Sequence, residues 1–272
     1  MRKQENECEL KTYKIFSNRD ARAVKIAEDL RSELNANGFI ENADFFELGI
    51  AIGGDGSFLR MVKACKFNPR VCYIGVNAGT LGFLQEIKPN KIKDFIQKLK
   101  TNNFKIEEVG VQETSVIYAE KLESKFYSLN EIVIREKDLN TAFLNIKIND
   151  VLLEKFVGDG LLISTSSGST AYNLSFGGCI VYNGLHTLQI TPIAPLHSKV
   201  YKSLRNSVII PEDREIKIKC EKSKNNLLLC IDGENIVFDN VLSISTKISN
   251  RKINCLRLSK YDYTKVINEK FL

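Results

Sequence analysis

Three glycines set around one carboxylate, Gly53-Gly54-Asp55-Gly56, form the cluster in this chain that points most directly to chemistry. Glycines let a backbone turn sharply and come close to a phosphate. The apolar run at 48–52 precedes the cluster, and Ser57, Phe58 and Leu59 follow it. A strand before the turn and a helix after it set the turn at the carboxyl edge of a sheet, where exposed amides and a helix N-terminus attract anions. Asp55 is the odd member, since a carboxylate repels phosphate unless it takes a proton or meets a metal. The combination points to phosphoryl transfer.

An Asp-Gly hairpin turn is the competing reading. The residues after the loop oppose it, because Phe58, Val62 and Cys65, with Leu59 beside them, repeat at helical spacing and give one apolar face. The loop lacks the lysine and spacing of a P-loop. A second block, from Gly158 to Ser175, empties a strand-like run into small hydroxyl residues and glycine, then a short helix with Tyr172 and Ser175. It offers amides and hydroxyls to a polar ligand and one aromatic face for a base. Alone, it reads equally well as a Ser/Thr-rich surface loop ending in a helix cap.

The elements that must position these groups fall into two patterns. Over roughly the first 105 residues, strands and helices alternate, as in an α/β domain with a mainly parallel sheet. Strands are expected at 13–17, 48–52 and 71–76, and a helix at 20–37 buries Ala23, Ile26, Ala27, Leu30 and Leu34. A second glycine-bearing loop follows at 77–83, then an amphipathic helix whose lysines surround Ile92, Phe95, Ile96 and Leu99. From 106 to 236 a meander of short strands suggests a β-rich domain, with Asn149-Asp150 a tight turn inside it. Residues 237–272 form a tail with one more strand-like stretch and a polar, aromatic end.

The composition excludes several classes. With 43% hydrophobic and 26% charged residues, the chain reads as an ordinary globular protein. No apolar run approaches the ~20 residues that span a bilayer, and the charged start has no apolar stretch behind it, so a cytoplasmic protein without membrane attachment is expected. Seven scattered cysteines without a C-x-x-C pair indicate neither a zinc site nor a disulfide framework. Only His186 and His197 are available, which disfavours a histidine metal site. The net charge of +6 is spread along the chain, and its compact lysine groups near 88–100 and 217–224 read as solvated surface, not a nucleic-acid groove.

Taken together, the motifs resemble the NAD kinases. The resemblance runs over nearly the whole chain: GGDGSFLR from Gly53, GVNAGTLGFL from Gly75, LNE from Leu129, GDGLLISTSSGSTAYNLSFGG from Gly158, then Ile231-Asp232-Gly233. GGDG also occurs in phosphofructokinases and in diacylglycerol and sphingosine kinases, whereas the GSTAYNLS block discriminates. The resemblance implies the NAD kinase/diacylglycerol kinase-like fold: an N-terminal α/β domain and a C-terminal β-rich domain, with the active site between them and the tail packed on the first. It implies transfer of the ATP γ-phosphoryl to the 2′-hydroxyl of the adenosine ribose of NAD. A divalent cation, Mg2+ with ATP, and a homodimer or homotetramer are implied as well.

Residue roles follow by motif position. Asp55 is the expected general base or hydroxyl-orienting group, and Gly53, Gly54 and Gly56 leave room for phosphates. Asn130 and Glu131 match the pair that binds the acceptor ribose, and Asp159 the carboxylate at the nicotinamide end. Thr170, Ala171, Tyr172, Asn173 and Ser175 match the segment gripping the dinucleotide, Ala194 a backbone position against it, and Asp232 a support for metal or base. Val157 stands where many members carry arginine, and Lys155 is the expected substitute. Ser166 replaces a common proline without removing a functional group. A GGDG-type lipid kinase should lack the GSTAYNLS block, and a catalytically silent NAD or NADP sensor gains nothing from Asp55.

Overall fold

The computed structural model describes residues 10–79, 82–221 and 226–272. The charged start with Cys8, Thr80 and Leu81 of the second glycine loop, and Lys222 and Lys224 lie outside the described residues. The chain groups into two compact units: residues up to Glu108 together with Lys252–Leu272, and Val109–Arg251. Residues 237–251, assigned to the tail in the sequence reading, therefore group with the second unit.

The first unit begins β1 (Thr12–Ser17), α1 (Ala21–Ala36), β2 (Ile40–Glu41), β3 (Leu48–Gly53), α2 (Asp55–Ala64), β4 (Cys72–Asn77) and α3 (Ile92–Lys100). The strands pair in parallel in the order β2-β1-β3-β4. Every residue of β3 and β4 is buried, as expected of central strands covered on both faces. Asp20 caps α1 by accepting from the Ala23 amide at 2.9 Å, and the helix buries the five apolar residues its spacing assigned. On α2, Phe58, Met61 and Val62 are the buried apolar residues, while Leu59 and Cys65 are half-buried. Met61, three residues after Phe58, shares the inward face that spacing alone gave to Cys65. The register pairs Gly53 with Asn77, and the Ala78 amide donates to the Gly53 carbonyl at 3.2 Å. Both glycine loops thus leave the sheet side by side at its carboxyl edge.

The second unit is built from β5 (Phe104–Tyr118), β6 (Leu122–Ser128), β7 (Glu131–Glu136), β8 (Ala142–Ile148), β9 (Val151–Gly158), β10 (Gly160–Thr165), α4 (Tyr172–Ser175), β11 (Thr187–Ile193), β12 (Val208–Pro211), β13 (Ile216–Cys220), β14 (Leu227–Ile231) and β15 (Glu234–Phe238). Its start at 109 leaves the first residues of β5, up to Glu108, in the first unit. Six strands make an antiparallel sheet in the order β12-β11-β10-β7-β14-β15. Alternation divides their side chains: Ile132, Ile134, Leu161 and Ile163 join the main core with Leu144, Ile146, Phe156, Ile216 and Ile218 of β8, β9 and β13. Val133, Leu162 and Ile193 face the other way and form a smaller cluster with Phe176 and Cys230. Asn149 and Asp150 both take positive φ, +44° and +69°, between paired β8 and β9, which is the tight turn expected there.

Two further elements, β16 (Val241–Leu258) and α5 (Tyr263–Phe271), complete the chain. The far end of β16 lies parallel beside β4, pairing Asn254 with Cys72. Helix α5 was not legible in the sequence, where Tyr261-Asp262-Tyr263 read as a polar end. Asp262 is its cap, accepting from the Thr264 amide at 2.9 Å. No helix of the described residues is long and apolar enough to cross a membrane.

Candidate active site

In the first unit, chemistry gathers at the N-terminus of α2. Gly54 is its N-cap in extended conformation, and Asp55 is its first residue. The first amides of a helix have no carbonyl four residues back, so this end attracts anions. The Asp55 carboxylate faces the second glycine loop and accepts from two backbone amides, Phe83 on Oδ2 and Leu84 on Oδ1, each at 2.9 Å. Gln85 completes the clasp, its Nε2 donating to the Gly54 carbonyl at 2.8 Å. A Cβ on Gly82 would collide with the Asp55 carboxylate, so the loop passes this closely only because glycine stands there.

Sequence reasoning missed one neighbour of this loop. Asn18, just beyond β1, accepts through Oδ1 from Ser57 Oγ at 2.9 Å and from Arg60 Nη2 at 2.7 Å. Its only sequence signal was a polar residue at the carboxyl end of a buried strand. The pairing of β1 with β3 is what brings it to the glycine loop.

In the second unit, Asn130 and Glu131 sit where the chain enters β7. Asp232 holds that entry: Oδ2 accepts from the Leu129 amide at 2.7 Å, and Oδ1 from the amides of Asn130 at 2.8 Å and Glu131 at 3.2 Å. The carboxylate is turned toward backbone donors, so the geometry gives Asp232 a positioning role. Thr165 braces the same turn, its hydroxyl donating to the Leu129 carbonyl at 2.6 Å and its amide to the Asn130 carbonyl at 2.8 Å. Gly168 passes so close to the Asn130 backbone that a Cβ there would overlap it. The hydroxyl-rich block is therefore a scaffold for Asn130 and Glu131.

Glu131 is 7% exposed, and its Oε2 is buried without a hydrogen-bond partner. Burial, reinforced by the nearby charge of Asp232 and opposed by the Tyr172 amide, pushes its pKa up to about 8. A buried, unpaired carboxyl oxygen is costly to leave unmatched.

The structure separates the remaining candidates. Tyr172 is 44% exposed and meets Phe176 edge-on, with centroids 4.7 Å apart, so one face remains for another ring. Thr170 and Ala171 are half-buried before it, and Ser175 is exposed after it. Asn173 departs from the expected ligand contact: it is fully buried, its Nδ2 donating to the Ser169 carbonyl at 3.2 Å and its Oδ1 accepting from Thr191 Oγ1 at 2.6 Å. It braces the block by tying the start of α4 to β11 through Thr191. Asp159 is exposed, its amide donates to the Ile193 carbonyl at 3.0 Å, and that contact brings Ala194, at φ +42°, next to it. Val157 is buried, with its amide and carbonyl both bonded to Ser203 Oγ. Lys155, with its side chain 69% exposed, lies 3.8 Å from Glu221.

Among the described residues, no three His, Cys, Asp or Glu side chains cluster as metal ligands. This donor set does not form a protein cage, and it fits a divalent cation that arrives bound to phosphates.

Comparison with known proteins bears on the whole chain. The ATP-NAD kinase N-terminal domain matches residues 3–104, and the ATP-NAD kinase C-terminal domain matches residues 129–257. An NAD kinase from Finegoldia magna is 36% identical over 271 residues, covering 96% of this chain and 98% of that protein. An NAD kinase from Staphylococcus saprophyticus is 27% identical over 262 residues, covering 96% and 97%. Two solved structures share the fold at 20% identity. Yeast NADH kinase complexed with NADH has a TM-score of 0.84 over 97% of this chain and 88% of its own. The NAD kinase from Archaeoglobus fulgidus in complex with ATP has a TM-score of 0.73 over 95% and 98%. With both domains matched in order and a relative above one-third identity along almost its full length, this chain belongs to the ATP-NAD kinase family.

Proposed function

We propose that the chain is an ATP-dependent NAD kinase that phosphorylates the 2′-hydroxyl of the adenosine ribose of NAD to give NADP. Beyond membership of the family, the observation that carries this reading is the Asp55 carboxylate at the N-terminus of α2, fixed by the Phe83 and Leu84 amides. A carboxylate has about four lone-pair sites, so one amide on each oxygen leaves room for a proton. Asp55 takes the proton of the ribose hydroxyl as its oxygen attacks the γ-phosphorus. The bond from that phosphorus to the β–γ bridging oxygen breaks, and ADP leaves.

Gly53, Gly54 and Gly56 with the first α2 amides accommodate the phosphates of ATP. Asn130 and the unpaired Glu131 Oε2 take the ribose hydroxyls of the acceptor. Tyr172 offers its open face to a base, and Thr170, Ala171, Ser175, Asp159 and the Ala194 backbone complete the grip on the dinucleotide. A divalent cation, Mg2+, would be held by the ATP phosphates, where it neutralises phosphate charge and leaves Asp55 to take the proton. We place the enzyme in the cytoplasm, acting as a homodimer or homotetramer.

Positioning and electrostatics supply most of phosphoryl-transfer catalysis, and a general base contributes about 10²- to 10⁴-fold. NADP formation from NAD and Mg-ATP, followed with an NADP-specific dehydrogenase, tests both. Asp55→Asn should lose turnover in that range while binding NAD as the wild type does. Near-normal turnover removes Asp55 from the base role.

A further inference from the structure

Asp55 is held by a short segment that is itself held from the far end of the sequence. The segment from Phe83 to Glu86 donates two backbone amides to Asp55 and one side-chain amide to the Gly54 carbonyl. At its start, the Phe83 ring meets Tyr263 at 6.2 Å and Phe271 at 5.4 Å between centroids, and Lys270 Nζ lies 5.3 Å from the Phe83 centroid. These contacts come from both ends of α5. At the other end of the segment, Glu86 Oε1 accepts from the Leu258 amide at 2.6 Å, and the Glu86 carboxylate lies 3.6 Å from Arg257. Residues 257–271 thus grip both ends of the stretch that orients the proposed base.

The two grips differ in firmness. Arg257, its side chain 11% exposed, lies 2.6 Å from Glu107 as well, and stacks over Tyr261 at 4.3 Å, so its end is locked into the first unit. Helix α5 is anchored lightly by comparison: Tyr263 is its one buried residue, and Phe271 is 42% exposed. A nine-residue helix has little stability of its own and depends on packing for its position. The Phe83 ring is where that packing reaches the catalytic loop.

We infer that α5 is a positioning element for phosphoryl transfer: Phe271 and Tyr263 set the Phe83 ring, the ring sets the Phe83 and Leu84 amides, and those amides aim Asp55. This inference rests on the reading of Asp55 as the base. Displacing a reacting group by about 1 Å can cost roughly 10²-fold. Releasing α5 from Phe83 should therefore lower kcat by about 10- to 100-fold and leave the KM values for NAD and ATP within about twofold. Phe271→Tyr, which keeps the ring, should restore kcat, and Lys270→Ala should give a smaller loss of the same kind.

The experiment pairs steady-state kinetics of Phe271→Ala, Phe271→Tyr and Lys270→Ala with ¹H–¹⁵N spectra of the full-length protein. The resonances that matter are the Phe83 and Leu84 amides, with Asp55→Asn marking their positions when the carboxylate is altered. The inference predicts that Phe271→Ala lowers kcat and moves both amides toward the Asp55→Asn positions, and that Phe271→Tyr reverses both effects. A lower melting temperature with unchanged kcat overturns it, since that is what packing alone would do. Unmoved Phe83 and Leu84 amides overturn it too. Normal turnover in Asp55→Asn refutes the base assignment instead, and the amide resonances then decide by themselves whether α5 orients that carboxylate.

Discussion

Replacing Glu131 with glutamine should change the pH dependence of stability in a specific direction. The Glu131 carboxyl is 7% exposed, has one oxygen without a partner and lies near the charge of Asp232, which together raise its pKa from 4.5 to about 8. A carboxyl whose folded pKa lies above its unfolded value binds its proton more tightly in the native state. Its contribution is therefore fully present below the unfolded pKa of 4.5 and is lost as pH rises through about 8. Each pKa unit is worth about 1.4 kcal/mol, so the shift sets a ceiling of about 5 kcal/mol on that loss. Relaxation and water entry at a turn bring such penalties down, and a loss of about 1–3 kcal/mol is expected.

Glu131→Gln keeps the shape and cannot ionise. The variant should match the wild type near pH 5 to within about 1 kcal/mol and exceed it by about 1–3 kcal/mol at pH 9. Urea unfolding at intervals between those limits reads this directly. Glu86, which burial also pushes upward against the pull of Arg257, titrates in both proteins and cancels in the difference. A difference that stays constant across the range would refute the claim that the fold holds Glu131 in its neutral form.

Two other substitutions separate supporting residues from contacting ones. Gly168→Ala forces a Cβ into the Asn130 backbone and should destabilise the second unit by roughly 1–3 kcal/mol, raising the NAD KM in the protein that still folds, as denaturation curves and kinetics would show. Lys155→Ala tests the idea that Lys155 replaces the arginine absent at Val157. Its exposed side chain and surface pairing with Glu221 give it little structural weight, so stability should change by less than about 0.5 kcal/mol. Compensation for the missing arginine predicts a raised NAD KM in Lys155→Ala, and an unchanged KM sinks it.

Much of this protein was legible from residue order because its strongest signals are local. A glycine-carboxylate turn between an apolar strand and an apolar-faced helix states its own geometry, and α1 buries the five residues that helical spacing selects. Short strands of the second unit could be read from alternation, and motif order along the chain identified the family. The limits of long elements were less legible. Strand β16 runs from Val241 to Leu258 because the second unit pairs one end and β4 pairs the other, and no local pattern states that.

What only the tertiary structure decided are contacts between residues far apart in sequence. Asp55 meets Phe83 and Leu84 because the register of β3 on β4 sets their loops side by side. Asp232 braces the Asn130 and Glu131 amides, 102 and 101 residues upstream, because β14 pairs with β7. Asn173 sits within the family motif, yet its side chain turns inward, because Thr191 on β11 and the Ser169 carbonyl bond it there. Residue type and spacing determine which chemistry is available to this chain. Whether a given carboxylate aims at a ligand or at its own backbone is set by long-range packing, and its free energy comes from neighbours that the local sequence does not contain.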